Sequence, residues 1–396
     1  MRATLFAAAL LCGPSAGAPA QAGPALRRAL VSSDSLIAGA LGTRFPGAVF
    51  LVARNGRTLH LRGFGAVRRE TLFDLASVTK VMATTFAIML LVDRHLVDLD
   101  APVFRYLPAF RGVHLDSITI RHLLNHSSGL EPWQPLYYHA TNSGEAFEVI
   151  RGMPLKWGVG EARHYSDLGF MLLGYVVERV SGRPLDRFLD AELYRPLGLR
   201  HTAFNPKEHG FKEFAATEEG NGYERQMVYD PNFGYDYAGD PKAWDGWRSY
   251  VTSGETNDGN SWYAHGGVAG HAGLFSTAAD LGVLLQLLLD GGSHAGRRFL
   301  RPETIRRFLT RDLYQHYLGW QVPDSLPEGS FAHPGFTGTY VLGVPKYGLS
   351  VVLLTNRQRM GRDPRGFFPD LGPLQRAVAK RLSSAVEADA RSGSPP

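Results

Sequence analysis

The stretch that most constrains this chain is Val81-Met82-Ala83-Thr84-Thr85-Phe86-Ala87-Ile88-Met89-Leu90-Leu91-Val92, which is long, apolar and free of Gly and Pro. Such a run reads as a buried helix. Immediately before it stands Leu72-Phe73-Asp74-Leu75-Ala76-Ser77-Val78-Thr79-Lys80. A helix beginning near Ser77 puts Ser77 and Lys80 at i and i+3, on one face of its first turn. A hydroxyl and an amine then meet where a helix N-terminus favours negative charge, which is the geometry of an activated serine nucleophile. Lys80 is the only one of the seven lysines with a serine three positions before it. The bland alternative makes Ser77 an N-cap and Lys80 a solvated first-turn charge. The rest of the chain has to decide between them.

With 396 residues, 44% of them hydrophobic and 20% charged, the chain has ordinary globular composition and enough length for a large core. The net charge of +5 is scattered rather than striped, which argues against a nucleic-acid partner. The N-terminus is more specific. Arg2, the apolar stretch Leu5 to Leu11, and the small-residue sites Ala16-Gly17-Ala18 and Ala20-Gln21-Ala22 describe a secretory signal peptide over residues 1–22. The single cysteine, Cys12, lies inside it, behind Leu10-Leu11, poor residues to precede a lipid-modified cysteine. No later stretch is long and apolar enough to span a bilayer. The expectation is an exported protein, periplasmic or extracellular, without stable membrane insertion and without a disulfide.

In chain order, Leu26, Leu30, Ile37 and Leu41 space out an N-terminal helix. Two apolar runs around Asn55-Gly56 predict a hairpin. The region from Leu96 to Arg200 reads mainly helical, with helices over Leu168 to Val180, stopped at Ser181-Gly182, and over Pro184 to Tyr194. From Asn205 to Gly270 the pattern dissolves into Gly, Asp, Asn, Tyr and Trp, too irregular for a helix and too aromatic for disorder. A loop of that length in a compact domain is usually functional, and it reads as a wall of a site. Helices resume over Thr277 to Leu289 and Pro302 to Leu309. Strands follow at Tyr317 to Val322, Gly338 to Val344 and from Gly348, then a helix over Leu371 to Val386. The predicted fold is α/β (α+β): one antiparallel sheet formed from both termini and flanked by helices. A single domain covers 23–386, its α/β part about 24–80 and 275–386, its helical and loop insertion about 81–274, with 387–396 a disordered tail.

Further motifs fall in register with Ser77-x-x-Lys80: His164-Tyr165-Ser166-Asp167-Leu168-Gly169 at a helix start, and Phe331-Ala332-His333-Pro334-Gly335-Phe336-Thr337-Gly338-Thr339 at the head of a strand. Their order and contexts resemble the serine β-lactamase and penicillin-binding protein superfamily, closest to its class C branch, with S-x-x-K, Y-x-N and K-T-G or H-x-G elements. Leu123-Leu-Asn-His-Ser-Ser-Gly-Leu, Pro196-Leu-Gly-Leu-Arg-His-Thr and Gly266-Gly-Val-Ala-Gly-His-Ala-Gly-Leu-Phe-Ser extend the resemblance over most of the chain. It implies a β-lactamase/transpeptidase-like fold and an acyl-enzyme on Ser77. Lys80 and Tyr165 would share the base role, and the N–H groups of Ser77 and Phe336 would form an oxyanion hole. His333 would stand where lysine is common, and Asp167, Gly335 and Asn125 would contact substrate. Asp167 replaces the motif's asparagine and would favour a charged Lys80, which points to Tyr165 as the operative base. Asp167 and Pro334 both depart from the pattern of lactam-hydrolysing members.

The aromatic insert, with Arg225-Gln-Met-Val-Tyr-Asp, Phe233-Gly-Tyr-Asp and Trp244-Asp-Gly-Trp-Arg, looks like that of the muropeptide-amidase-type subgroup. The leading substrate is therefore a small amide or ester, foremost a peptidoglycan fragment cut between N-acetylmuramic acid and L-alanine. A carboxylesterase or D-alanyl-D-alanine carboxypeptidase is the alternative, and a β-lactamase or a non-hydrolytic penicillin-binding sensor a weaker one. His265 and His271 lack acidic or cysteine neighbours at metal-site spacing and read as structural, so neither metal nor cofactor is expected. There is no G-x-S-x-G of an α/β-hydrolase, and Gly63-Phe-Gly65 lacks the third glycine of a dinucleotide loop.

Overall fold

The computed structural model of the protein describes residues 22–392, so the expected signal peptide over 1–22, Cys12 with it, lies all but wholly outside the described residues. The strands in chain order are β1 (Gly47–Arg54), β2 (Arg57–Gly65), β3 (Phe73–Asp74), β4 (Ala203–Phe204) and β5 (Leu274–Ser276). They continue with β6 (Ser293–His294), β7 (Arg297–Arg298), β8 (Phe331–Pro334), β9 (Tyr340–Val344) and β10 (Leu349–Thr355). The helices are α1 (Pro24–Ala40), α2 (Thr85–Asp93), α3 (Ile120–Leu124), α4 (Ser143–Gly152) and α5 (Asp167–Ser181). After them come α6 (Leu185–Leu189), α7 (Gly222–Tyr229), α8 (Ala278–Leu289), α9 (Pro302–Phe308) and α10 (Gly372–Arg391).

Asn55 and Gly56 take φ of 49° and 76°, the doubly left-handed pair that a tight hairpin turn needs to match strand twist. The hairpin they close joins an antiparallel sheet of order β2-β1-β10-β9-β8, built, as expected, from both ends of the chain. Alternation along β1 sends Phe50 and Val52 to one face and Val49 and Leu51 to the other. The first face is covered by α1 and α10 through Leu26, Ile37, Val378 and Leu382. The second packs on α8 and belongs to the same core as α2, whose residues from Thr85 to Val92 are all buried. A helix apolar all round has no water-facing side, so α2 is the centre of the larger core.

Helix α2 differs from expectation at its head. It does not run as a regular α-helix from Ser77 but opens through a wide π-turn over Lys80–Thr84. Such turns recur at functional sites. The expected strand at Tyr317 to Val322 is a loop with a single bridge, Gln321 to Ala332. Gly319 at φ 81° breaks the extended backbone there, while Tyr317, Leu318 and Trp320 are all buried without the alternation of a one-sided strand. Within 205–270, Gly222–Tyr229 is helical, because Tyr223, Met227 and Val228 give it one inward stripe. Helix α10 also runs to Arg391, into the stretch expected to be disordered. The reason is local: the Asp389 carboxylate accepts the Ala25 and Leu26 N–H groups at 2.8 and 2.9 Å, capping the otherwise uncapped start of α1. No helix of the described residues is long and apolar enough to cross a membrane.

Asp389→Ala should therefore lower stability by about 1–2 kcal/mol, as losing a helix N-cap does. A chemical-denaturation midpoint equal to that of the parent protein would show that this cap does not hold the termini together.

Candidate active site

Ser77 sits on a strained turn. Ala76, the residue before it, has φ of 45°, which costs an L-residue roughly 1–2 kcal/mol. The strain is held from several sides. The buried Asp74 carboxylate accepts the Ala76 N–H at 2.8 Å and the Asn257 N–H at 2.6 Å. Burial nevertheless pushes the Asp74 pKa up to about 6, against those donors. The Thr337 and Thr339 hydroxyls donate to the carbonyls of Asp74 and Leu75 at 2.6 and 2.9 Å. The segment between β8 and β9 is thereby strapped to the turn that carries Ser77. Gly335 in this strap has no room for a side chain: a Cβ would lie 2.4 Å from the Leu75 oxygen and 2.1 Å from Thr339 Oγ1. The N–H groups of Ser77 and Phe336 donate to no partner among the described residues. Free donors beside a nucleophile are what an oxyanion requires.

Lys80 is fully buried, and its Nζ donates to Ser77 Oγ at 3.0 Å and to the His271 carbonyl at 3.2 Å. It also lies 2.7 Å from Asp167 Oδ1. That approach lies off the hydrogen-bonding angle, since Asp167 Oδ1 accepts no directional bond, so the pair is held by charge. Burial pulls the Lys80 pKa down, but Asp167 and Tyr165 outweigh it and leave it above the ordinary lysine value. Tyr165, at the approach to α5, is half-buried; the Lys80 Nζ lies 5.0 Å from its ring centroid, and the phenol feels both Lys80 and Ser77. Burial raises the phenol's pKa further than Lys80 lowers it. The resting site thus holds an ammonium, a carboxylate and a neutral phenol.

His333 lies on β8 with its Nδ1–H donating to the Pro334 carbonyl at 2.8 Å and its Nε2 unpartnered. Burial and the Lys80 charge push its pKa down to about 3, so the imidazole is neutral. Asn125 is placed differently from the substrate contact expected of it. Its side-chain oxygen accepts the Ser127 hydroxyl at 2.6 Å and the Ser127 N–H at 3.2 Å, and it lines neither cavity beside Ser77.

The structure adds residues that motif reading passed over. His126, at φ 63°, packs against Tyr165 with ring centroids 4.4 Å apart and planes tilted by 32°, and accepts the Ser166 N–H through Nδ1 at 3.1 Å. His271 Nε2 meets Asp258 Oδ1 at 2.9 Å. Burial works to raise the Asp258 pKa, but His271 and nearby donors bring it down to about 2. Asp167, Asp258 and His271 offer ligand atoms within 4.8 Å of one another, a set that could hold a metal ion. The Lys80 ammonium already supplies this cluster with a positive charge through Asp167. The spacing of Asp258 and His271 carried no metal signature, because Asp167 joins them only in the fold.

Two cavities meet at Ser77, Tyr165 and Phe336. The larger, about 630 Å³, also touches Arg163, His333 and Gly335. The smaller, about 190 Å³, is walled by Trp133, Tyr223 and Tyr235 and carries Asp167, Glu224 and Asp258. The irregular 205–270 stretch supplies much of this second wall, in the place anticipated for it.

A serine bonded by a buried lysine, with a tyrosine beside them, between an antiparallel sheet and a helical half, defines the β-lactamase/transpeptidase-like class of fold. The Beta-lactamase family matches residues 33–367, and the chain belongs to that family; it is a β-lactamase-family hydrolase. It is 32% identical over 367 residues to the N-acetylmuramyl-L-alanine amidase of Bacillus subtilis (strain 168), covering 82% of this chain and 80% of that one. It is 31% identical over 383 residues to an Escherichia coli (strain K12) protein provisionally named a D-alanyl-D-alanine carboxypeptidase, covering 86% and 84%. A penicillin-binding protein homologue from Caulobacter crescentus shares the fold with a TM-score of 0.66 at 20% identity, covering 93% of this chain and 99% of that one.

Because Asp167 is what holds the Lys80 pKa up against burial, Asp167→Asn should let it fall. If the charged lysine is the working form, the alkaline fall of kcat/KM for p-nitrophenyl acetate moves to lower pH in the variant. A gain of activity near neutral pH would instead make the unprotonated lysine the base.

Proposed function

We propose that the protein is an exported serine hydrolase that forms an acyl-enzyme on Ser77 and hydrolyses a small amide or ester. Its leading substrate is a cell-wall muropeptide, cut at the amide between N-acetylmuramic acid and L-alanine. The observation that carries the reaction class is the 3.0 Å contact of Lys80 Nζ with Ser77 Oγ, with Tyr165 lining the same two cavities. The substrate class is supported by the amidase relative at 32% identity and by the aromatic wall beside Ser77. Export is supported by Arg2 and the apolar Leu5 to Leu11 ahead of Ala-x-Ala sites.

In this reading the Ser77 oxygen bonds to the substrate carbonyl carbon, and the N–H groups of Ser77 and Phe336 receive the developing oxyanion. Each such donor is worth roughly 3–4 kcal/mol of barrier. The neutral Tyr165 phenol acts as a relay. It passes its proton to the leaving nitrogen and takes the Ser77 proton, so no free tyrosinate has to exist beforehand. The C–N bond breaks and the amine departs. Water then attacks the ester, its proton returns to Ser77 through Tyr165, and a carboxylic acid leaves. The charged Lys80 stabilises phenoxide character on Tyr165 throughout.

Purified muropeptides digested by the mature protein and by Ser77→Ala, followed by chromatography with mass detection, test this. Free N-acetylmuramic-acid-containing sugar plus intact peptide, absent with Ser77→Ala, is the expected result. Loss of a single D-alanine would make the protein a carboxypeptidase like its second relative, and an unchanged digest would remove the cell-wall assignment. Tyr165→Phe should lower kcat about 10²- to 10⁴-fold, the span of a lost general acid–base group; near-parental kcat would remove the relay.

A further inference from the structure

The two cavities that meet at Ser77 differ in charge. The smaller carries Asp167, Glu224 and Asp258 among aromatic rings, surroundings that repel an anion. The larger is lined by Arg163, Arg357 and Arg376, with Asp324 and Asp370 also on its walls. Of these arginines, Arg357 is engaged with backbone carbonyls, donating to those of Phe336 at 2.8 Å and Pro369 at 3.1 Å. Arg376 is exposed.

Arg163 is different. It is half-buried, reaches the same cavity as Ser77 and Tyr165, and has no hydrogen bond or ion pair among the described residues. Asp312, the carboxylate that acts on it through space, forms no ion pair with it, and burial works against its charge. A guanidinium partly withdrawn from water without a counter-ion is a poor arrangement for stability, and a ready one for a planar anion. The other basic side chains at Ser77 cannot serve an anion: Lys80 is committed to Asp167, and His333 is neutral.

We propose that Arg163 is a specificity-determining residue that binds a carboxylate on the leaving-group side of the scissile bond. The inference rests on the acyl-enzyme reading above. The substrate then lies across Ser77 with an uncharged, ring-bearing acyl part against Trp133, Tyr223 and Tyr235, and an anionic amine or alcohol part in the larger cleft. A peptide leaving group, which carries carboxylates, attached to an uncharged N-acetylated sugar has that polarity.

The test uses esters, so that it does not depend on muropeptide turnover. The value of kcat/KM is measured for 3-acetoxybenzoate, whose leaving group is anionic, and for its neutral methyl ester, with the parent protein, Arg163→Gln and Arg163→Lys. The intrinsic reactivities cancel in the ratio of anionic to neutral ester. That ratio should fall on the order of 10- to 100-fold in Arg163→Gln, the range of a lost hydrogen bond to a charged group, and recover in part in Arg163→Lys. Parallel loss on both esters would mean a merely structural arginine and would overturn the proposal. So would an unchanged ratio, or a dependence on Arg163 seen instead with monophenyl succinate, whose carboxylate is on the acyl side. Ester turnover that survives Ser77→Ala would sink the acyl-enzyme reading on its own, whatever Arg163 does. A falling ratio with intact muropeptides would keep the carboxylate site and remove only the cell-wall substrate.

Discussion

The ion pair between Lys80 and Asp167 is the contact on which the rest of the site depends. An ammonium with no solvent exposure is costly unless it is paired and hydrogen-bonded, and Lys80 is both: to the Asp167 carboxylate, to Ser77 Oγ and to the His271 carbonyl. These partners come from separate parts of the chain: the turn before α2, the first residue of α5, and the loop ahead of β5. Removing one partner of a buried pair typically costs about 3–5 kcal/mol. The lysine therefore cannot settle until all three segments are home, so Ser77 is oriented by the same contacts that close the helical half onto α2.

A second constraint acts across the sheet. β1 and β2 come from the start of the chain and β8 to β10 from its end, and the Ser77 turn belongs to the first group while the Phe336 strap belongs to the second. The hydroxyls of Thr337 and Thr339, bonded to the carbonyls of Asp74 and Leu75, fix the two against each other. Ser77 and Phe336 consequently line the same two cavities, because the sheet joins the chain's two ends. Strain at Ala76 is tolerated for the same reason: Asp74, Thr337 and Thr339 together over-determine the turn.

What was legible in the sequence was local or carried by several motifs at once. The Asn55-Gly56 hairpin, the apolar run of α2 and the stop at Gly182, whose φ is 68°, each follow from residues a few positions apart. Ser77, Lys80 and Tyr165 were singled out because three motifs stood in order, and the fold brings them together. What escaped was set by tertiary context. Tyr317 to Val322 has a strand's composition, but Gly319 turns the backbone and the side chains bury in a loop. Tyr223, Met227 and Val228 form a short helical stripe inside an otherwise patternless stretch. Asn125 sits in a conspicuous motif, yet its amide is used to hold Ser127. Asp258 and His271 carry no spacing signal, and Arg163 is one arginine among 35.

Charge accounting ties the chemistry to recognition. With asparagine at position 167, the buried lysine would lack its counter-ion and its ammonium would be hard to keep. With aspartate there, Lys80 stays charged and is no neutral base, so the proposed reaction gives the proton traffic to the Tyr165 phenol. The price is that Asp167 offsets Lys80, Asp258 adds negative charge and neutral His333 adds nothing, so the site around Ser77 has no net positive charge with which to attract an anion. A substrate bearing a carboxylate has to find its cation outside that centre, in the cleft wall that Arg163 shares with Ser77. In the proposed reaction, catalysis and recognition are then carried by separate cations. The one beside the nucleophile is fixed by burial and pairing, and the one in the cleft is left unpaired for the ligand.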